Sequence, residues 1–266
     1  MFGAIIGDVI GSRFEFDNFK SKDFELFDSE CDFTDDSVMT LAIAKALLPY
    51  ESITDLNEFK KELVELMHEV GIRYPNCGYG GRFYEWIMRN RKEPYNSFGN
   101  GSAMRVAPVA WFATSLEECK AIAAATAEVT HDHPEGIKGA VSVAGAIFLA
   151  RNGSSMEEIK EFVSEYYDID FTLDDIREDY DFYEICQKSV PQAFEAFFES
   201  DSFESAIRNA ISIGGDSDTI AAMTGSIAEA FYGADEDMKE TALSFLDTYL
   251  LKIAEDFEEK FINKEI

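Results

Sequence analysis

GIKGAVSVAGAIFLA, residues 136–150, is the stretch whose reading decides the fold class. It carries one charge, Lys138, and is otherwise apolar or small. A run this rich in glycine and alanine suits a helix packed closely on several sides, at the centre of a helical body. Working outward, SVMTLAIAKALL at 37–48 is apolar at Val38, Leu41, Ala42, Ala44, Leu47 and Leu48, a helical spacing with much burial. Segment 55–70 repeats it through Leu56, Phe59, Leu63, Leu66 and Met67, with charged residues between. The stretches 82–90, 116–129, 135–151, 156–167, 190–199, 202–212, 219–232 and 237–262 read the same way. Alternating β-branched stretches long enough for strands are almost absent. The expected fold is all-α, a single compact multi-helix domain over residues 1–266, because no Pro/Gly/Ser linker and no fixed-period repeat divides the chain. The expected loops, 13–36, 72–82, 91–103, 130–134 and 212–218, are rich in Gly and Asp, and rigid helices that gather such loops at one end can build a site. The acidic segment 168–183 reads as a surface insertion or lid.

The 266 residues carry 52 acidic against 23 basic side chains, a net charge of -29, with 46% hydrophobic residues. The hydrophobic content is that of a globular chain. Nucleic acid and anionic membrane surfaces need clustered Lys and Arg, so neither is an expected partner, except that a nucleic acid could be a modified substrate. A phosphate-bearing ligand would need local neutralisation by metal, Arg or backbone amides. Cys31, Cys77, Cys119 and Cys186 lack CxxC spacing, which argues against zinc or a redox dithiol and fits a reducing compartment. Asp8 interrupts the first apolar stretch and no basic region precedes it, so no signal peptide is read, nor any membrane span. A cytoplasmic monomer is expected.

Two acidic clusters carry the chemistry. Thr34-Asp35-Asp36 precedes one helix and Asp216-Ser217-Asp218-Thr219, after Gly214-Gly215, opens another. Alone, each reads as an N-cap, with oxygens accepting backbone N–H bonds and acids favoured by the helix dipole. Together they exceed what capping needs: each offers two carboxylates and a threonine hydroxyl, the hard oxygens that Mg²⁺ and Mn²⁺ prefer. If they converge they could hold two cations, which requires the two ends of the chain to meet. NSFGNGS at 96–102 is a Gly/Asn/Ser loop able to present backbone N–H groups to phosphate, although an ordinary turn has the same composition.

In order and flanks these segments resemble the ADP-ribosylglycohydrolase family: GAIIGDVIGSRFEF at 3–16, FTDDSVMTLAIAKAL at 33–47, GYGGRFYEW at 78–86, NSFGNGSAMRVAPVAW at 96–111, THDHPEG at 130–136 and SIGGDSDTIAAMTGSIAEAFYG at 212–233. The 160–190 region carries no matching motif. The resemblance implies an all-α fold and two Mg²⁺ (or Mn²⁺) ions held by Thr34, Asp35, Asp36, Asp216, Asp218 and Thr219, with Ser217 a spacer. It implies a mobile Glu15 over the metals, and Ser97, Phe98, Gly99, Asn100 and Gly101 against the ligand. His131 would contact substrate, or else it caps the following helix; His133 reads as the cap and His68 as part of an amphipathic helix. Asp8 reads as a buried hydrogen-bonding group beside the ligands. Arg105 could serve the loop or pair with a cluster carboxylate. Tyr79-Gly80-Gly81 could line the substrate or simply turn the chain.

The implied activity is hydrolysis of the bond between ADP-ribose and a modified acceptor, a protein side chain or a small molecule, with Asp36 or Glu15 moving the proton. Two alternatives remain open at this point. One is a non-catalytic ADP-ribose-binding pseudoenzyme. The other is a different nucleotide-sugar metalloenzyme using Asp216-x-Asp218, which would place that motif after a strand.

Overall fold

A computed structural model describes residues 1–263. Its helices run in the order α1 (Phe2–Gly11), α2 (Asp35–Leu47), α3 (Leu56–Gly71), α4 (Gly81–Met88), α5 (Gly101–Met104), α6 (Ala107–Phe112), α7 (Leu116–Glu128) and α8 (Pro134–Arg151). They continue as α9 (Met156–Ser164), α10 (Leu173–Ile176), α11 (Cys186–Phe198), α12 (Phe203–Ile211), α13 (Ser217–Tyr232), α14 (Glu236–Leu243) and α15 (Thr248–Phe257). The described residues contain no strand; the one β-bridge joins Gly99 to Ile185. The fold is all-α, and the strand that a DxD sugar-transferring site would follow is missing among the described residues. Among the described residues no helix is long and apolar enough to cross a membrane.

The centre of the body is a pair of helices. Every residue of α1 is buried, as are Ser217 to Glu229 of α13. Gly3, Gly7 and Gly11, one helical turn apart, form a side-chain-free stripe against α13. A Cβ on Gly7 would lie 2.1 Å from Ala221 O, and one on Gly3 2.0 Å from Gly225 O. Backbone therefore meets backbone, and only glycine permits it. The matched residues descend along α13 as they ascend along α1, so the helices are antiparallel and the end of α1 reaches the start of α13. At the other end, Glu229 of α13 accepts from Phe2 N and Gly3 N at 3.1 and 2.8 Å, satisfying orphan donors at the start of α1.

The helix α8 packs on α5, α6, α7, α9, α11 and α13, the central placement its small residues suggest. Gly139 faces the Cys186 thiol, and Gly145 faces the Phe162 ring.

Some boundaries differ from expectation. The helix expected over 237–262 is two: α14 ends near Ser244, and Asp247 restarts the chain as an N-cap, its Oδ1 accepting from Tyr249 N and Leu250 N at 2.9 and 3.0 Å. Its continuous apolar pattern conceals this stop because Leu246 in the turn is itself buried. The helices expected over 190–199 and 219–232 begin earlier, at Cys186 and Ser217, and the short α5 begins inside the loop expected over 91–103.

Gly7→Ala should lower stability by about 1–3 kcal/mol through overpacking at the seam. Gly81→Ala, where a Cβ meets nothing within 4 Å, should stay within about 0.5 kcal/mol of the parent. Urea unfolding followed by circular dichroism measures both, and equal losses would refute the seam.

Candidate metal centre and ligand cleft

The antiparallel seam ends at a cleft. A Cβ on Gly11 would lie 2.5 Å from Asp218 Cα, so the start of α13 rests directly on the end of α1. One turn back on α1, Asp8 reaches the N-terminus of α2. Its carboxylate accepts from Thr34 N, Thr34 Oγ1 and Ser37 N at 3.0, 2.6 and 3.0 Å. Asp8 thus fastens the first cluster to the seam that carries the second. Thr219 Oγ1 then donates to Asp36 Oδ2 at 2.9 Å across 183 positions of sequence. The two clusters converge.

The capping reading holds for one cluster and fails for the other. Thr34 is the N-cap of α2, its Oγ1 accepting from Asp36 N at 3.3 Å. Asp216 occupies the N-cap position of α13 but makes no cap bond; its Oδ2 instead accepts from Asn100 Nδ2 at 2.6 Å. Positive φ at Gly214 and Gly215, +67° and +75°, turns the chain sharply enough to aim it there. Ser217 points away, its hydroxyl on Gly215 O and Phe14 O.

Carboxylate oxygens of Asp8, Asp36 and Asp218 lie within 4.8 Å of one another, and so do those of Glu15, Asp216 and Asp218. Asp218 belongs to both groups. Asp35 and Thr219 line the cleft outside these trios, whereas Thr34 does not line it. Asp36 Oδ1 is buried with no hydrogen-bond partner among the described residues. Burial pushes every one of these acids up, and repulsion from neighbouring carboxylates adds to all but Asp8. Desolvation comes first for each. Asp218 and Asp8 then add to Asp35 and Asp36, and Asp216 and Asp8 add to Asp218; all three of those carboxyls stand well above the usual carboxylate range. Glu15 is raised to about 8 by desolvation, then by Asp218, Asp8 and Glu184, and Asp216 to about 7 by desolvation against the Asn100 bond. Asp8 is raised despite its three donors. A buried acid cluster with an unpartnered oxygen is stable when paired or bound to a cation, and all its donors are hard oxygens. The residues fit a divalent cation of the Mg²⁺ or Mn²⁺ type.

The facing wall is polar and carries two cations, Arg82 and Arg105, with Glu184 beside them. The cleft, about 290 Å³, is lined there by Tyr95, Ser97–Gly101, Arg105 and His131. Ser97 Oγ accepts from Gly99 N at 3.2 Å and shapes the turn. Phe98 is 40% exposed at the mouth, its ring centroid 5.2 Å from that of His133. His133 caps α8, Nδ1 accepting from Glu135 N at 3.1 Å, which leaves His131 free for the cleft. His68 stacks on Trp86 and its Nε2 meets Arg91 O, a structural role. Arg105 makes no ion pair with the clusters; its Nη2 goes to Thr126 O and Thr130 Oγ1, both at 2.9 Å. Gly80 and Gly81 line the cleft as well as turning the chain into α4.

The end of the segment read as a surface insertion or lid is bound against the wall. Lys20 Nζ donates to Tyr180 O and Ile213 O at 2.5 and 2.6 Å, Phe16 stacks on Phe182, and Asn18 Oδ1 accepts from Gly215 N at 3.1 Å. Glu184 O accepts from Asn100 N at 2.9 Å. The 180–185 strip therefore ties the loop of Glu15 to the loop of Asn100. Glu184, Lys20 and Tyr95 carried no sequence signal, because their roles arise from backbone carbonyls and from neighbours remote in sequence.

Fold and cleft define an all-helical protein that joins a buried cluster of hard oxygen donors to a glycine-rich polar loop. The sequence profile described as ADP-ribosylglycohydrolase matches residues 1–265. ADP-ribosylhydrolase ARH3 of Gallus gallus is 28% identical over 265 residues, covering 77% of this chain and 71% of its own. The ADP-ribosyl-[dinitrogen reductase] glycohydrolase of Rhodospirillum rubrum is 26% identical over 220 residues, covering 80% and 73%. A solved structure described as an ADP-ribosylglycohydrolase-related protein complex superposes with a TM-score of 0.72 at 21% identity, over 98% of this chain and 95% of that one. The chain belongs to the ADP-ribosylglycohydrolase family and is a hydrolase of that family.

The raised carboxyls set a pH dependence. An acid whose folded pKa exceeds its unfolded value holds extra protons in the fold, so stability falls as pH rises from the unfolded pKa through the folded one. Buried His68 and His131, both lowered, act in the opposite sense only near and below about pH 6.5. Metal-free protein should melt lower at about pH 8 than at about pH 6, and added Mg²⁺ or Mn²⁺ should raise the melting temperature more at the higher pH. Thermal scans in EDTA and in each cation check this; cation-independent melting at both pH values counts against the site.

Proposed function

We propose that the protein releases ADP-ribose by hydrolysing its glycosidic bond to a modified acceptor, with two divalent cations in the acid cluster. The observation that carries the reading is the pair of carboxylate trios sharing Asp218, with the unpartnered Asp36 Oδ1 among them. The proposed ligands are Thr34, Asp35, Asp36, Asp216, Asp218 and Thr219. Thr34 gives its hydroxyl proton to Asp8, and Thr219 gives its own to Asp36, so each can offer only lone pairs. Bound there, Mg²⁺ or Mn²⁺ would neutralise the acids, hold ribose hydroxyls and make water more acidic.

The chain's own groups do the rest. Water oxygen bonds to C1″ of the distal ribose, the bond from C1″ to the acceptor breaks, and the acceptor leaves with a proton. Glu15, partly buried beside Asp216 and Asp218, or Asp36 on the floor takes the proton from water or delivers it to the leaving atom. Positive charge developing at C1″ would be stabilised by the acid floor. The loop of Ser97, Phe98, Gly99, Asn100 and Gly101, with His131, binds the remainder of ADP-ribose, and Asn100, bonded to Asp216, registers it against the floor. An anionic ligand is thereby accommodated in a protein of charge -29. We assign no acceptor; the substrate is an ADP-ribosylated protein or small molecule in the cytoplasm, and the protein acts as a monomer.

Asp218→Asn should cut release of ADP-ribose by more than about 100-fold, the upper end for residues that merely support a ligand. It should also weaken cation binding in calorimetry, with helicity unchanged. Release from a panel of ADP-ribosylated peptides should stop in EDTA and return with Mg²⁺ or Mn²⁺; turnover indifferent to complete metal removal would falsify the mechanism.

A further inference from the structure

Among the described residues Arg105 is a buried cation with no carboxylate partner, and it contacts the histidine at the cleft wall through a single hydroxyl. Its Nη2 donates to Thr130 Oγ1 at 2.9 Å, and Thr130 Oγ1 lies 2.7 Å from His131 Nδ1. Thr130 is 0% exposed and does not line the cleft, so water cannot substitute for a partner its hydroxyl lacks. A guanidinium carries only donors, so the threonine oxygen accepts from Arg105 and must place its own proton elsewhere. Among the described residues the acceptor within reach is His131 Nδ1. Were Nδ1 itself protonated, the hydroxyl proton would be buried without a partner, at a cost comparable to a lost hydrogen bond.

We infer that Thr130 is a positioning residue, which relays the fixed donor of Arg105 to His131 and holds the imidazole in its Nε2–H tautomer as a donor into the cleft. The remaining geometry agrees. Nε2 makes no hydrogen bond with the described residues, and it faces the Gly99–Gly101 turn: a Cβ on Gly101 would lie 3.3 Å from it and one on Gly99 3.5 Å. The missing side chains leave that face open to a ligand. Burial and the cations Arg105 and Arg82 hold the imidazole well below its usual pKa, so it stays neutral with one proton to give. Thr130 has a second duty that can be separated from the first, since its carbonyl accepts from Tyr95 N and Ser97 N at 3.3 and 3.5 Å. Replacing only the hydroxyl leaves that tether in place. The identity of the recipient rests on the function proposed above: an acceptor oxygen of ADP-ribose lying over the Gly99–Gly101 turn.

The test uses full-length protein labelled with ¹⁵N-histidine at about pH 7, with the His131 resonances assigned by their loss in His131→Gln. Ligand-free parent protein should show Nε2 protonated and Nδ1 as the unprotonated acceptor. Thr130→Val should move His131 toward a mixture of tautomers and weaken ADP-ribose binding about 3- to 10-fold, the worth of one ordinary hydrogen bond. Thr130→Ser should restore both. The relay is overturned if parent His131 is protonated at Nδ1, or if Thr130→Val leaves tautomer and affinity unchanged while helicity and melting temperature match the parent. If the tautomer responds as stated but parent protein does not bind ADP-ribose, the relay stands and the ligand assignment falls.

Discussion

The backbone contact between α1 and α13 is the constraint on which the rest depends. Gly3, Gly7 and Gly11 allow two helices from opposite ends of the chain to touch without side chains between them. Close approach maximises dispersion contact and shields the helix backbones from water. Its antiparallel sense has a chemical consequence: the last turn of α1 and the first turn of α13 coincide. Asp8 and Asp218 are carried to the same place by the same contact, and Asp8 draws in the start of α2. A methyl group anywhere along the stripe would part the helices and separate the acids.

That contact also creates an electrostatic problem. Several carboxylates are driven together in a buried site, where desolvation and like-charge repulsion both oppose ionisation. The hydrogen bonds inside the cluster offset only part of this. Thr34 and Ser37 serve Asp8, Thr219 serves Asp36 and Asn100 serves Asp216, while Asp36 Oδ1 is left with nothing. The surrounding hydrophobic core, continuous from Met1 to Phe257, supplies the stability that lets such a site persist. Burying such charges without a counter-charge is costly.

The opposite wall is built on a different principle. It uses backbone amides, Asn100, a neutral histidine and the cations Arg82 and Arg105, so oriented dipoles and positive charge stand opposite the carboxylates of the floor. The 180–185 strip closes the arrangement by bonding to both the Glu15 loop and the Asn100 loop. Movement of either loop is therefore felt by the other.

Much of the fold was legible in the sequence because helical periodicity is local. The stretches 37–48, 55–70 and 136–150 announce helices through the spacing of their own apolar residues. The oxygen-rich clusters at 34–36 and 216–219 were equally visible, since hard donors grouped beyond capping needs stand out by type alone. The glycine stripe of α1 was also present in the sequence, but its meaning depends on what lies opposite. The stop at 244–247 stayed hidden because a buried turn keeps the apolar pattern of a helix. Tertiary structure alone decided that Thr34 caps a helix while Asp216 does not, that Arg105 pairs with a threonine and not an acid, and that residues 180–185 wall the cleft. The physical reason is common to all three: hydrogen-bond partners and burial are set by groups tens to hundreds of positions away, and no local pattern encodes which of several chemically suitable partners will arrive.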